Sequence, residues 1–500
     1  MAYEVVVVGG GIGGLTVAAL LAARGRSVCV LEKESRAGGC ASTFEKFGYT
    51  FEQTASLYAS WQAGEIHERV FAELPVDAPE ARPVTPSYIV RLPDQMQIPV
   101  GERDEEFEAH LTRAFPECSE AAINFYRELE PLAEALRRVA RRVPDLRTAS
   151  ALRRARLAAG EARVARRVFK EMNRTVADHL GNTSTRFRRF IDVQLQTFAQ
   201  RSSRECAYLY GAVALMLPRR GMYAIRGGAQ SLADALANSI VKSGGTLRLN
   251  TTALRLAYDA VGRAVGVDLL SGETVEATRA VVSNLTVWDT YGKLVGMTRT
   301  PEEVRRRLKL LQGWGAYLLY LGIDEAAAEN LSAEHILALT DWQENEEYYP
   351  EGAQFMFACA PSWDVRGPAG KRAVTVSTFT EPTQWFAFHT DDTELEEQDQ
   401  SRLEECWARL HQAMPELGSS VEVIETATPR TFYENTRRRL GMVGGVGQSL
   451  DVFGPNSLSH LTAIPNLYMV GDSVFPGQGI AAVTQSGLIV ANELMQGALS

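Results

Sequence analysis

An α/β fold organised around a dinucleotide-binding domain is predicted by three observations. A valine-rich stretch at residues 3–8 (YEVVVV) runs straight into a glycine loop, GGGIGG; an alanine-rich helical stretch, LTVAALLAARG, follows; and a second short apolar stretch, SVCVLE, ends on Glu32. That order is the strand, loop, helix and strand unit of a Rossmann-type domain. A further strand–glycine–helix piece stands near the C-terminus, so the domain is expected to be discontinuous, with an inserted α+β substrate domain and a helical cap.

Five hundred residues, 45% of them hydrophobic, are more than one ordinary domain contains. The expected division is residues 1–75, 218–290 and 460–500 for the dinucleotide domain, 76–115 and 291–459 for the substrate domain, and 116–217 for the cap. The strands of the substrate domain are read in AYLLYLGI, AVTVSTF and VEVIETA, and a helix in LEEQDQSRLEECWARLHQAM. A formal charge of −9 argues against general nucleic-acid binding, which needs a basic face. Cys29, Cys40, Cys118, Cys206, Cys359 and Cys406 are scattered with no C-x-x-C pair, and no His/Cys spacing suits zinc. A reducing cytoplasm without structural disulfides, and no metal, are expected. The strand at residue 3 leaves no room for a signal peptide. The apolar run 206–217 (CAYLYGAVALML) falls short of the roughly 18 residues of a membrane span; it reads equally as a core helix or as the lining of an entrance.

Within the glycine loop, Gly9 suits the tight turn, Gly11 lets backbone approach a pyrophosphate, and Gly14 lets helix and strand touch. Ile12 and Gly13 complete the loop at the helix N-terminus, where backbone N–H groups favour phosphate. Glu32, with Lys33 after it, lies near the roughly 20-residue offset at which a carboxylate accepts from ribose hydroxyls, and it disfavours a 2′-phosphate. The adjoining stretch, KESRAGGCAST, resembles the E-x(5)-G-G extension of flavoproteins through Gly38 and Gly39, with Cys40 where that family usually has arginine. Near the C-terminus, NLYMV followed by Gly471 and Asp472 resembles the flavoprotein G-D motif. The resemblance implies bound FAD, with Asp472 accepting from the ribityl chain and the helix that starts near Gly479 and Ile480 aiming its amides at the flavin. GGTLRLNTTALRLAYDAVGRAVGVDL reads as two strands after Gly244 and Gly245, and the same resemblance puts Ala253 near adenine.

With these motifs placed, nearly the whole chain resembles the carotenoid desaturase and carotenoid isomerase family of FAD-dependent polyene enzymes. YAIRGGAQSLADAL resembles the family's Y-P-x-G-G segment, SNLTVWDTYGKLV and GDSVFPGQGIAAV resemble the isomerase branch, and GMVGGVGQSLDVFGP is closer to a desaturase branch. FEQTASLY departs from the family's F-D-x-G pattern at Glu52 and Thr54. The implied substrate is an apolar polyene such as a carotenoid. Its C–H bonds are far too weakly acidic for a side chain alone, so the flavin must carry the hard step. Desaturation, slightly favoured from the mixture of motifs, sends electrons on to oxygen or a quinone; redox-neutral isomerisation with reduced FAD is the alternative. Amine oxidation and a non-catalytic prenyl-escort role are other classes open to the same fold. No catalytic residue is named, since Glu52 reads equally as a structural carboxylate.

Residues 137–189 hold fifteen arginines and Lys170 against Asp145, Glu161, Glu171 and Asp178, a balance of +12 inside an acidic chain. Leu157, Val164, Val168 and Met172 recur at helical spacing among them. A basic amphipathic helix of this kind suits an anionic membrane surface and a peripherally bound protein, the alternative being a solvated cap helix paired with acids elsewhere.

Overall fold

The computed structural model describes residues 2–54, 56–101, 103–142, 162–343, 347–386, 392–453 and 457–496. Strand Ala2–Val8 is buried on both sides, as an uninterrupted valine run requires. Val5 and Val7 face the helices Ile12–Ala23, Ala229–Lys242 and Ile480–Gln496, and Val6 and Val8 face the opposite apolar layer. It pairs in parallel with Val28–Leu31 on one side and Thr274–Ser283 on the other, and Thr246–Arg248 extends the sheet beyond Val28–Leu31. Strand Thr274–Ser283 is ten residues long and serves two neighbours: Thr274 to Glu276 pair antiparallel with Ala264–Leu269, whereas Val281 to Ser283 pair in parallel with Leu467–Met469. The C-terminal stretch thereby enters the same sheet as the N-terminal strand, which makes the Rossmann-type unit discontinuous.

The stretch after Gly244 and Gly245 forms three strands, where two were expected: Thr246–Arg248, Ala253–Tyr258 and Ala264–Leu269. The chain turns at Asn250, whose φ is 51°, and Thr251 donates its N–H to the Glu32 carbonyl at 2.8 Å. That anchorage beside the second strand breaks what reads in sequence as one continuous strand.

The second sheet has seven strands in the order Val421–Ala427, Gly315–Asp324, Lys371–Thr380, Gln354–Cys359, His335–Leu339, Tyr88–Arg91 and Gln97–Val100, all antiparallel except the His335–Leu339/Tyr88–Arg91 pair. Alternation along Gly315–Asp324 sends Tyr317, Leu319, Leu321 and Ile323 toward the helix Asp392–Ala413 and Ala316, Leu318 and Tyr320 to the other face. The helices Asp104–Ala114, Ser119–Arg142, Thr185–Ala199 and Tyr208–Met216 form the cap and share one core with Tyr88, Val90 and Leu337 of this sheet. Helix Tyr208–Met216, the alternative to an entrance lining, buries Tyr208, Leu209, Ala212 and Leu215 there and is a core helix.

Leu157 and the other residues of 143–161 lie outside the described part of the basic segment. Within helix Ala162–Glu171 and just beyond it, Val168 and Met172 pack on the cap core, while Phe169 is 78% exposed. Acids do take up part of the positive charge. Arg137 binds Glu65 at 2.6 Å and Glu134 at 2.8 Å, and buried Arg189 binds Asp192 at 2.8 Å.

A buried charge cluster joins the two sheets. Glu52 closes the hairpin Thr43–Lys46/Tyr49–Glu52 and is 3% exposed. Arg366 binds its Oε1 at 2.8 Å and Asp364 at 2.7 Å, and donates to the Ile225 carbonyl. The Tyr58 hydroxyl and the Ala229 N–H, the first of helix Ala229–Lys242, donate to Glu52 Oε2. Gly228, at φ +71°, allows this, because a Cβ there would stand 2.8 Å from the Glu52 carboxyl carbon. Replacing Arg366 with methionine leaves two buried carboxylates without their counter-charge, at a cost of about 3–5 kcal/mol. Urea unfolding should show that loss, whereas a surface control such as Arg103→Met should leave the unfolding midpoint unchanged.

Candidate functional site

Three separated stretches of chain meet at the C-terminal end of the first sheet. The glycine loop supplies the first. Gly9 holds φ +97°, a conformation glycine adopts without strain, and at Gly14 a Cβ would collide with the Gly9 carbonyl oxygen. The segment through Gly38 and Gly39 supplies the second: Gly38 donates its N–H to the Gly10 carbonyl at 2.8 Å, and a Cβ on Gly39 would stand 3.6 Å from Gly11 Cα. Gly471 supplies the third, its N–H and Cα lying 3.1 and 3.2 Å from where a Gly13 Cβ would be.

Asn284, which follows strand Thr274–Ser283, stands at the centre of this meeting. Its side chain is 2.5 Å from the Cβ position of Gly11, 2.9 Å from that of Gly13 and 3.1 Å from that of Gly471. In sequence its segment, SNLTVWDTYGKLV, carries the isomerase resemblance but no signal that places it in the site. The same segment carries Asp289, which accepts the Arg439 N–H at 3.0 Å, and Lys293, which donates to the Arg437 carbonyl at 2.7 Å.

Glu32 lies where the second strand ends, with Oε2 accepting from Gly10 N–H at 2.6 Å and Oε1 from Glu34 N–H at 2.9 Å. Each oxygen keeps a second lone pair for a further donor such as a ribose hydroxyl. Lys33 pairs with Glu34 and reaches the Glu434 carbonyl at 3.4 Å. Ala253 is the expected site residue that the described contacts do not join to this meeting point: it starts the strand that pairs with Leu269 and packs on the apolar layer behind the sheet.

Asp472 binds Arg438 through Oδ2 at 2.8 Å, leaving Oδ1 with only the Ser473 hydroxyl at 3.5 Å. Burial works against the charge of Arg438, but Asp472 outweighs it and holds the guanidinium pKa above its ordinary value. Burial likewise raises the Cys40 thiol, partly offset by the nearby Arg438. Gly479 has φ +94° and nothing within 4 Å of its Cβ position, so the N-terminus of helix Ile480–Gln496 opens onto free space, while Ile480 packs back toward the core.

The arrangement fits a dinucleotide with a second aromatic group. Two helix N-termini, those of Ile12–Ala23 and Ile480–Gln496, present amides to it, and acidic acceptors stand at both ends, Glu32 and Asp472. Beyond Cys40 an aromatic wall begins, with Phe44 and Tyr320 4.7 Å apart edge to face and Phe51 5.3 Å from Tyr320. Gly11→Val should yield protein without bound flavin, because the added methyls displace Asn284 and fill the approach to the loop. Flavin released by acid, measured by absorbance against protein, checks this; wild-type occupancy in a Gly11→Val protein would contradict the site.

Comparison with known proteins supplies the family. The chain is 28% identical to the chloroplastic prolycopene isomerase of Daucus carota, covering 98% of this chain and 80% of that one. It is 23% identical to the all-trans-retinol 13,14-reductase of Danio rerio, covering 98% and 86%. An oxidoreductase from Methanosarcina mazei shares the fold, with a TM-score of 0.66 at 17% identity over 98% of this chain and all of that one. The family model for flavin containing amine oxidoreductases matches residues 12–495, so the chain belongs to that family and its cofactor is FAD.

Proposed function

We propose that this protein is an FAD-dependent enzyme acting on a long apolar conjugated polyene, with redox-neutral cis–trans isomerisation ranked ahead of desaturation. The observation that carries the reading is the end-to-end similarity to prolycopene isomerases, with retinol reductases matching over the same span. The aromatic cluster of Phe44 with buried Phe51 and Tyr320 beside Cys40 is consistent with it, since it keeps that flank of the site apolar and dry.

Two features favour isomerisation. Desaturation must remove a proton from carbon, and Glu52, the carboxylate that its motif position would nominate, is committed to Arg366, Tyr58 and Ala229. The glycine run that leans toward desaturases in sequence serves packing: a Cβ on Gly445 would collide with the Asp472 carbonyl and one on Gly441 with that of Pro429. Reduced FAD, when bound, would supply the electrons that weaken a conjugated double bond. The chain's part is to hold it. In this proposal Gly9, Gly11, Ile12, Gly13 and Gly14 cradle the pyrophosphate with Gly38, Gly39 and Cys40. Glu32 and Lys33 stand at the adenosine, with Ala253 nearest adenine. Gly471, Asp472, Gly479 and Ile480 hold the ribityl and flavin end.

A peripheral position at an anionic membrane, on the cytoplasmic side, belongs to the same proposal. No described helix is long and apolar enough to cross a membrane. Helix Ala162–Glu171 instead presents exposed Phe169 beside Arg166, Arg167 and Lys170, a side chain to insert and charges to hold the headgroups.

Incubating prereduced enzyme anaerobically with a poly-cis carotenoid tests the reaction. The expected product has unchanged mass, a shifted polyene spectrum and flavin still reduced. A product lighter by two hydrogens, with oxidised enzyme and with oxygen or a quinone consumed, replaces isomerisation by desaturation; amine oxidation with no polyene turnover removes the polyene reading. Sedimentation with phosphatidylglycerol vesicles should fall with added salt and with Arg166→Glu/Lys170→Glu, each charge contributing roughly 1 kcal/mol. Sedimentation unchanged by that variant would remove the helix from the membrane assignment.

A further inference from the structure

We infer that Arg438 neutralises the FAD pyrophosphate. This rests on the cofactor site alone and not on the polyene reading. Position 40 lies directly after the glycine pair that packs on the loop Gly9–Gly14, and Cys40 brings no charge there, since burial raises its thiol pKa. A diphosphate set between Glu32 and Asp472 adds two negative charges to two carboxylates. Helix N-termini offer partial charges only.

Arg438 is the guanidinium that the fold delivers to this spot. It binds Asp472 at 2.8 Å and lies close enough to Cys40 to offset part of the rise in that thiol's pKa, so it stands where the two halves of the site join. Its side chain is 16% exposed, which is low for arginine and strengthens its bonds to charged partners. Nε donates to the Met442 carbonyl at 2.7 Å and one Nη2 hydrogen to Asp472 at 2.8 Å, which uses two of five N–H donors and leaves a fork suited to phosphate oxygens.

The segment that carries it runs the length of the cofactor site. It begins at Glu434, whose carbonyl accepts from Lys33 beside the adenosine carboxylate, and ends at Met442 beside Asp472. Arg437 and Leu440 within it hold φ of 55° and 50°, conformations that non-glycine residues keep only where their surroundings impose them. Asp289 and Lys293 impose them through the Arg439 N–H and the Arg437 carbonyl. Strained backbone, pinned from both sides, fixes the arginine that lies between the two residues.

The test uses full-length apoprotein of wild type, Arg438→Gln and Cys40→Arg/Arg438→Gln, with fold compared by circular dichroism and binding of FAD and of ADP measured by calorimetry at two salt concentrations. ADP carries the diphosphate and adenosine but no ribityl chain, so it reports phosphate contact apart from Asp472. Arg438→Gln should weaken both ligands at least about tenfold and flatten the salt dependence, and the double variant should recover most of the loss. ADP binding within twofold of wild type in Arg438→Gln, with FAD weakened, would show that the arginine serves Asp472 only and overturn the inference. Should Arg438→Gln fail to fold, Arg438→Gln/Asp472→Asn, which leaves no unpaired carboxylate, takes its place: ADP binding weakened at least about tenfold supports the inference and ADP binding within twofold of wild type overturns it. Failure of wild type to bind either ligand would instead remove the cofactor site itself.

Discussion

Everything in this molecule depends on three backbones approaching one another without side chains between them. The loop Gly9–Gly14, the pair Gly38–Gly39 and Gly471 come from both ends of the chain, and they converge around one asparagine, Asn284, at the end of the strand that joins both halves of the sheet. Added carbon at Gly13 or Gly14 would push a backbone away, and with it the strand or helix that carries it. The helix Ile12–Ala23 starts from this convergence, and the helix Ile480–Gln496 packs along it with Gly487 against Gly13 and Thr16. Chain discontinuity is therefore no accident of topology: closing the cofactor site requires strands from both ends to lie in one sheet.

The Glu52 cluster performs a parallel task for the second sheet. Arg366 and Asp364 come from the loop that precedes strand Lys371–Thr380, Glu52 from the hairpin beside the cofactor segment, and Ala229 from a helix of the first sheet. Buried charges are costly unless they are paired and hydrogen-bonded, and here two arginine nitrogens, a phenol and two backbone amides donate to Glu52 and Asp364. The cost of misalignment gives the cluster directional strictness that apolar packing lacks. A carboxylate bound on both oxygens has little freedom to accept a further proton.

The cap shows how a net charge conceals different uses of arginine. Arg137 and Arg189 are internal partners of Glu65 and Asp192. Arg166 and Lys170 lie instead on a helix whose exposed neighbour is Phe169. A phenylalanine exposed among cations has no packing reason, while Val168 and Met172 of the same helical stretch do pack inward. The two faces divide one amphipathic sequence between core and surface.

What the sequence by itself determined was local: the valine strand, the spacing of Gly9, Gly11 and Gly14, the acidic end at Glu32, the doublet Gly38–Gly39 and the Gly471–Asp472 pair. Each is readable because a tight turn, a close approach or a strand end constrains residues that are neighbours in the chain. Three strands of the second sheet, Gly315–Asp324, Lys371–Thr380 and Val421–Ala427, were legible for the same reason, through apolar runs of suitable length. Tertiary structure alone decided what depends on distant partners. The stretch 246–269 became three strands because Thr251 bonds back to Glu32. The run 206–217 became core because cap helices enclose it. Glu52 became structural because Arg366 reaches it, and Arg438 came to stand beside Cys40 and Asp472 because Asp289 and Lys293 hold its backbone in place. No local pattern encodes such pairings, since a charge in sequence carries no mark of the charge it will meet when the chain closes.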